Sequence, residues 1–317
     1  METEIRYHPT GEQLAIGSTI EESLVELLPS SRLHTSGHED AATWHSLEEI
    51  GVFGIGVSET AGGSGLGAVE EALIVMSLGR RLASPAVLAT IGTASLRGTV
   101  SPGDRVAAAY RRGGRIILVE EPGTRFILLR DSNGAALYDS AACRPRLIED
   151  RLWLTRLCEM SEPGEPQQRF NPSQLTRLRL HDAAALAGIA DTALEVSVAY
   201  ARMREQFGRP IGSFQAVKHH CANMAIAARC ARDQTSFAAV ALDEACSDAA
   251  MEVEYAFAVA GSAALENAKL SIQIHGGMGF SDEADPHLFL KRAQLLIAIA
   301  GGLEASTGRI ASNQRGV

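Results

Sequence analysis

The chain has 317 residues, is 46% hydrophobic but only 5% aromatic, and carries a formal net charge of −9. That length can bury cores in two or three domains, and apolar content dominated by Ala, Leu, Val and Ile favours closely packed helices. The acidic balance excludes non-specific binding to nucleic acid or an anionic membrane, which needs a surplus of Lys and Arg on one face.

Met1-Glu2-Thr3-Glu4 is acidic and is not followed by an apolar run, so no export signal is expected. No stretch reads as a membrane span, and the expectation is a soluble, cytoplasmic protein. Residues 11–100 read as short helices. Leu14, Ile16, Ile20, Leu24 and Leu27 follow a helical period up to Pro29. Trp44, Leu47 and Ile50 mark a second helix, and two more run through Val69–Leu82 and Val87–Leu96. Between them lies a glycine-rich loop, Glu59–Gly67, which lacks the dinucleotide fingerprint and follows no strand of a βαβ unit, so it reads as a turn. The period then changes. Val106–Tyr110, Arg115–Val119, Arg125–Arg130, Ala135–Asp139 and Trp153–Leu157 read as strands, separated by Gly113-Gly114, Pro122-Gly123 and the hairpin signal Asn133-Gly134. Ser161–Pro172 reads as a linker. Long helices follow: one through Leu178–Arg204, then others over roughly 213–245, 249–274, 286–300 and 303–313. The fold expected is α+β, with an N-terminal helical domain (1–102), a short β domain (103–170) and a C-terminal helical bundle (171–317).

Five cysteines, odd in number and without a Cys-x-x-Cys, fit neither a disulfide framework nor a zinc site. The adjacent His219 and His220 point about 100° apart on a helix and do not chelate as an i, i+4 pair would, so no metal is expected. P-loop, Gly-x-Ser-x-Gly and His-Glu-x-x-His motifs are absent. Two segments carry chemistry. In Tyr200-Ala-Arg-Met-Arg204-Glu-Gln206-Phe207-Gly-Arg-Pro-Ile-Gly-Ser-Phe-Gln215, a helix ends in a basic cluster and turns into another helix. The planar fork of Arg204 suits a pyrophosphate and Gln215 offers an amide. In Ile272-Gln273-Ile-His-Gly276-Gly277-Met-Gly-Phe280, paired glycines let the backbone approach a ligand.

Together these segments resemble the C-terminal signatures of the acyl-CoA dehydrogenase family. Asp285–Ala293 is similar to that family's pattern too, as is Leu47–Gly67, where Ser58-Glu59 stands in place of its Pro-Glu. The resemblance implies FAD-dependent α,β-dehydrogenation of an acyl-CoA thioester, in which a carboxylate removes the α-proton. It further implies that Arg204, Phe207 and Gln215 contact FAD with Gln206 beside them. Gln273, Gly276 and Gly277 would line its ADP half, all reaching the FAD of a neighbouring subunit.

Two departures from the family stand out. Of its flavin-cradling Thr-Glu-Pro and Gly-Ser-Asp stretches, Glu121-Pro122 is only a lookalike, running through Gly123-Thr124 into a strand with no Gly-Ser-Asp after it, and the β unit, 104–168, is short. The base is also missing. One family position reads Ile299-Ala300-Gly301-Gly302, and the other falls near Leu178 beside Arg179. Asp182, one turn on, is a weak candidate for the base, or is held by Arg179 in a structural pair. Division of labour accounts for both losses: a larger family member supplies cradle and base, and this chain supplies contacts in trans. Such a chain resembles the smaller subunit of the heterotetrameric (α2β2) acyl-CoA dehydrogenases of steroid degradation, with electron-transfer flavoprotein as the implied acceptor. The alternatives are a non-catalytic scaffold of the same fold and a self-sufficient homodimer using Asp182.

Overall fold

A computed structural model describes residues 6–35, 38–96, 100–101, 103–131, 134–150 and 154–314. The chain opens on α1 (Gly11–Leu27), α2 (Ala41–Glu49), α3 (Ala68–Arg80) and α4 (Pro85–Ser95). These helices begin where an acceptor is available for the orphan N–H groups of a first turn. Thr10 Oγ1 accepts from Gln13 N at 3.3 Å while Gln13 Oε1 accepts from Thr10 N at 2.9 Å. Asp40 caps α2 through Thr43 N at 2.7 Å, and Ser84 precedes Pro85 at the start of α4. The cap of α3 comes from far along the chain, where Asp243 accepts from Ala68 N (2.7 Å) and Val69 N (3.0 Å). The glycine-rich loop before α3 folds onto the segment just upstream. Ser64, Gly65 and Leu66 donate to the carbonyls of Gly54, Val57 and Ile55, so these N–H groups are engaged within the loop.

A mixed sheet follows: β1 (Val106–Arg112), β2 (Arg115–Val119), β3 (Phe126–Arg130), β4 (Ala135–Asp139), β5 (Arg146–Asp150), β6 (Arg156–Met160) and β7 (Gln168–Arg169), in the order β5-β6-β2-β1-β3-β4-β7. Among the described residues, only β1 and β3 pair in parallel. Gly113 and Gly114 join β1 to β2 at φ +57° and +76°, the positive values that both central positions of a type I′ turn require. Asn133 lies outside the described residues; on either side, Arg130 pairs with Ala135 and Asp131 N donates to Gly134 O. The strand expected over Trp153–Leu157 is displaced. Trp153 is outside the described residues, Leu154 turns through φ +66°, and β6 takes its register from β2, with Val119 opposite Leu157. The expected linker contributes the two-residue β7 against β4. Alternation divides the sheet between two cores. Val106, Ala108 and Tyr110 join the helices, while Ala107, Ala109, Ile116, Leu118, Ile127 and Leu129 pack on the other face with Cys158 and Met160.

The bundle comprises α5 (Pro172–Met203), α6 (Gln215–Asp243), α7 (Ala249–His275), α8 (Pro286–Ile299) and α9 (Leu303–Gln314). Contrary to the sequence expectation, α5 is by length and mean hydropathy (1.3) apolar enough to match a membrane span. Its apolar residues instead face other helices, with Leu180, Ala183–Ala187, Ile189 and Ala190 wholly enclosed. Glycines let α3 and α5 approach closely. A Cβ at Gly79 would fall 2.1 Å from Ala185 O, and one at Gly188 would fall 2.0 Å from Met76 O. Buried Asn267 on α7 ties three helices together by donating from Nδ2 to Ala190 O and Met224 O, each at 3.0 Å.

Candidate functional site

The two chemistry-bearing segments meet. Tyr200, on the last turn of α5, stacks on His275, the last residue of α7, with ring centroids 4.0 Å apart. Burial lowers the pKa of His275, and its Nδ1 donates to Ser271 O at 2.7 Å, which fixes the ring against the helix end. Beyond Arg204, the C-cap of α5, the chain makes a short hairpin of β8 (Glu205–Gln206) and β9 (Arg209–Pro210), with Phe207 at φ +54° and Gly208 at φ +74° in the turn. A positive φ is uncommon for an aromatic residue, and here it holds Phe207 outward, 92% exposed. Phe214 packs edge-on against Phe207, carries the Arg209 guanidinium 4.2 Å over its ring, and starts α6 without a side-chain cap. The first N–H groups of α6 and its positive dipole end are therefore available to an anion, with Gln215 at the first position. On the neighbouring loop, Gly276 adopts φ +60°, ψ −134°, a conformation open in practice to glycine alone. A Cβ at Gly276 or Gly277 would meet nothing within 4 Å, so the approach to this backbone is open.

Arg204, Gln206, Phe207, Gln215, Gln273, Gly276 and Gly277 are all exposed. Among the described residues, the side chains of Arg204, Gln215 and Gln273 have no partner, whereas Gln206 Nε2 donates to Glu205 O at 2.7 Å. Met203 and Phe280 add large exposed apolar side chains beside them. These residues form an open, exposed surface.

A second locus lies between α4, the sheet, α5 and α8. It is a cavity of about 30 Å³ lined by Pro85, Leu88, Ala89, Ala108, Leu128, Leu178, Leu296 and Ile299, with Arg130, His181 and Asp182 as its polar members. Asp182 is fully engaged. Arg130 Nη1 donates to Oδ1 at 2.8 Å and Nη2 to Oδ2 at 2.6 Å, with both side chains 11% exposed. Arg179, the partner expected from sequence, stands 4.0 Å from Asp182 and donates to Ala300 O. His181 Nε2 donates to Glu71 Oε2 at 2.9 Å, and Arg177 Nε reaches the same oxygen at 2.7 Å. Burial alone would raise the pKa of Glu71, but His181 and Arg177 hold it below the ordinary carboxylate range.

Comparison with known proteins follows from this architecture. The acyl-CoA dehydrogenase C-terminal domain matches residues 170–314 and its N-terminal domain residues 10–100. The acyl-CoA dehydrogenase IpdE2 of Mycobacterium tuberculosis is 30% identical over 266 residues, covering 80% of either chain. The chain belongs to the acyl-CoA dehydrogenase family. Its relatives are oxidoreductases that act on acyl-CoA. Acyl-CoA dehydrogenase FadE34 of the same organism is 33% identical over 84% of this chain, which spans only 41% of FadE34's length. Among solved structures, the ChsE4-ChsE5 complex from Mycobacterium tuberculosis aligns at TM-score 0.80 (21% identity, 98% of this chain and 99% of that one). The Tcur3481-Tcur3483 steroid ACAD variant aligns at 0.78 (21% identity, 95% and 97%). At such identities the likeness is one of fold.

In family terms, the two positions that the resemblance assigns to a base, Leu178 and the 299–300 segment, converge on the 30 Å³ cavity, which Leu178 and Ile299 both line. Glu121-Pro122, which only looks like the family's cradle stretch, has a different setting. Glu121 sits in a buried charge cluster with Arg105, whose Nη1 reaches Glu121 Oε1 at 3.2 Å, and with Glu39, Arg32 and Arg292. Burial, aided by the neighbouring Glu39 charge, pushes the Glu121 pKa up to about 8. The Arg105 guanidinium also lies 4.4 Å over the ring of Trp44, which stacks on Phe53. Sequence reasoning missed Arg130, which ends a strand with no local mark of its role, and the Tyr200–His275 stack, although both of its rings lay within the quoted motifs.

Proposed function

We propose that this chain is the smaller, base-lacking subunit of an FAD-dependent acyl-CoA dehydrogenase, assembled as an α2β2 heterotetramer with a larger family member and acting on a steroid-derived acyl-CoA. One contrast carries the reading: the residues implied to contact FAD are exposed together on one surface, while the cavity beside the family's two base positions measures about 30 Å³. A cavity of that size has no room for a flavin ring or an acyl chain. When bound, FAD supplies the hydride acceptor. From this chain, Arg204 and the α6 N-terminus would hold pyrophosphate oxygens, Gln215 and Phe207 would border the cofactor, and Gln273, Gly276 and Gly277 would face its ADP half. The partner's cradle and carboxylate would complete the site. FadE34, more than half of which has no counterpart here, and the printed description of ChsE4-ChsE5 as a complex both favour a second chain. The steroid assignment draws on the Tcur3481-Tcur3483 steroid ACAD. Cytoplasmic location, electron-transfer flavoprotein as acceptor, and division of the chain at residues 102 and 170 belong to the same proposal.

The homodimer alternative needs a free carboxylate, and the bidentate pairing of Asp182 disfavours it. Expressed alone, the chain should carry little flavin. Co-expressed with a larger acyl-CoA dehydrogenase subunit, it should purify as a yellow complex. Stoichiometric FAD on the pure single chain overturns the proposal, and a colourless complex returns the chain to the role of scaffold.

A further inference from the structure

Each of the two segments on the exposed surface is pinned to its own helix. Arg204 N donates to Tyr200 O and Ile211 N donates to Arg204 O, both at 2.8 Å. The short helical turn Ile211–Ser213 lies so close to α5 that a Cβ on Gly212 would stand 2.9 Å from Ala201 O. The turn Gly276–Phe280 folds back on α7 in the same way, where a Cβ on Gly279 would stand 2.5 Å from Ile272 O. None of these contacts crosses from one segment to the other. The Tyr200–His275 stack does, with its ring planes 24° apart. Its residues stand at the roots of the segments: Tyr200 accepts the Arg204 N–H, and His275 lies between Gln273 and Gly276. His275 is buried, and its bond to Ser271 O holds the ring in place.

We infer that the Tyr200–His275 stack positions the two halves of this surface for a single cofactor molecule, fixing the distance between Arg204 with the α6 N-terminus and the Gln273–Gly277 loop. The inference rests on the proposed FAD reading and adds two positioning residues to it; neither ring is placed against the cofactor. A dinucleotide carries its pyrophosphate and its adenosine at a separation set by covalent bonds. It gains from both sets of contacts together only where their spacing matches. Helix ends fray, and both segments leave from a last turn. An aromatic pair between those turns clamps one to the other.

Equilibrium dialysis of the assembled complex against FAD provides the test. Tyr200→Leu and His275→Leu each remove the stack while keeping apolar bulk. Either should weaken FAD retention about three- to tenfold, the scale of one aromatic pair, with assembly unchanged. Tyr200→Phe keeps the ring and should retain FAD as the parent does. Combination with Arg204→Ala separates positioning from packing. Once the Arg204 contact is gone, little remains to be held in register, so Tyr200→Leu should then cost less than about twofold more. Full additivity of the two losses overturns the inference, as does unchanged retention in both leucine variants. The two variants approach the contact from different helices, so one that misassembles leaves the other to decide. If both misassemble, the stack is packing that the fold requires and the inference falls. An Arg204→Ala variant that by itself retains FAD like the parent defeats the cofactor reading instead, and the inference with it.

Discussion

The two oxygens of Asp182 both accept from Arg130, so this carboxylate is committed as a structural anion and has little freedom to take up a proton from carbon. Asp182→Asn should leave acyl-CoA dehydrogenation by the assembled complex within severalfold of the parent. It should nevertheless lower the chain's stability by about 3 kcal/mol, because Arg130 is left partly buried without its counter-charge. Turnover that collapses at constant FAD content and intact assembly would make Asp182 the base after all. Arg204 is the opposite case, an exposed guanidinium with no partner among the described residues. Arg204→Ala should be silent in folding but weaken FAD retention by the complex about ten- to a hundredfold, the loss of a charge-assisted contact of roughly 1.5–3 kcal/mol. Equilibrium dialysis against FAD measures this, and unchanged retention removes Arg204 from the cofactor surface. Legibility differed for a simple reason. Arg204, Phe207 and Gln215 sit in one contiguous motif, whereas the Arg130–Asp182 pair joins residues 52 apart and no local pattern announces it.

Among the elements, α6 to α9 were legible because apolar residues recur at helical spacing, with Gly276-Gly277, Pro286 and Gly301-Gly302 marking several of the ends. Strands at the sheet's margin were not. β5 is mostly charged, as suits an exposed edge, and β6 owes its limits to the strand beside it and to the positive φ of Leu154. The parallel pairing of β1 with β3, which leaves β2 on the other side, is a topological choice that alternation cannot reveal. The α3–α5 crossing rests on Gly79 and Gly188, and a methyl at either would meet backbone rather than a yielding side chain. Gly188→Ala should therefore destabilise the chain by about 1–3 kcal/mol, despite the better intrinsic helix propensity of alanine. Urea unfolding provides the measurement, and a stabilised variant would mean that the two helices can part without loss.

At the scale of the whole molecule, Arg32, Glu39, Arg105, Glu121 and Arg292 bring the N-terminal helices, the sheet and α8 to one buried meeting point. The Glu121 pKa, up at about 8, lies above its unfolded value near 4.5. Its contribution to stability is thus fully present below about pH 4.5 and is lost as pH rises through 8, a decline on the order of a few kcal/mol. Arg292, brought down to about 10, acts only at higher pH. Glu121→Gln, which cannot ionise, should flatten the stability profile between pH 5 and 8. A slope unchanged in that variant would assign it to other groups. The cluster also comes with its own optical probe. Indole emission responds to charge close to the ring, and the cation over Trp44 is the same guanidinium that pairs with Glu121. With Trp153 replaced by Phe, the fluorescence of Trp44 should change colour and yield as Glu121 loses its proton near pH 8. A cuvette and a pH series would then read out, without any label, the ionisation state at the junction of the three layers.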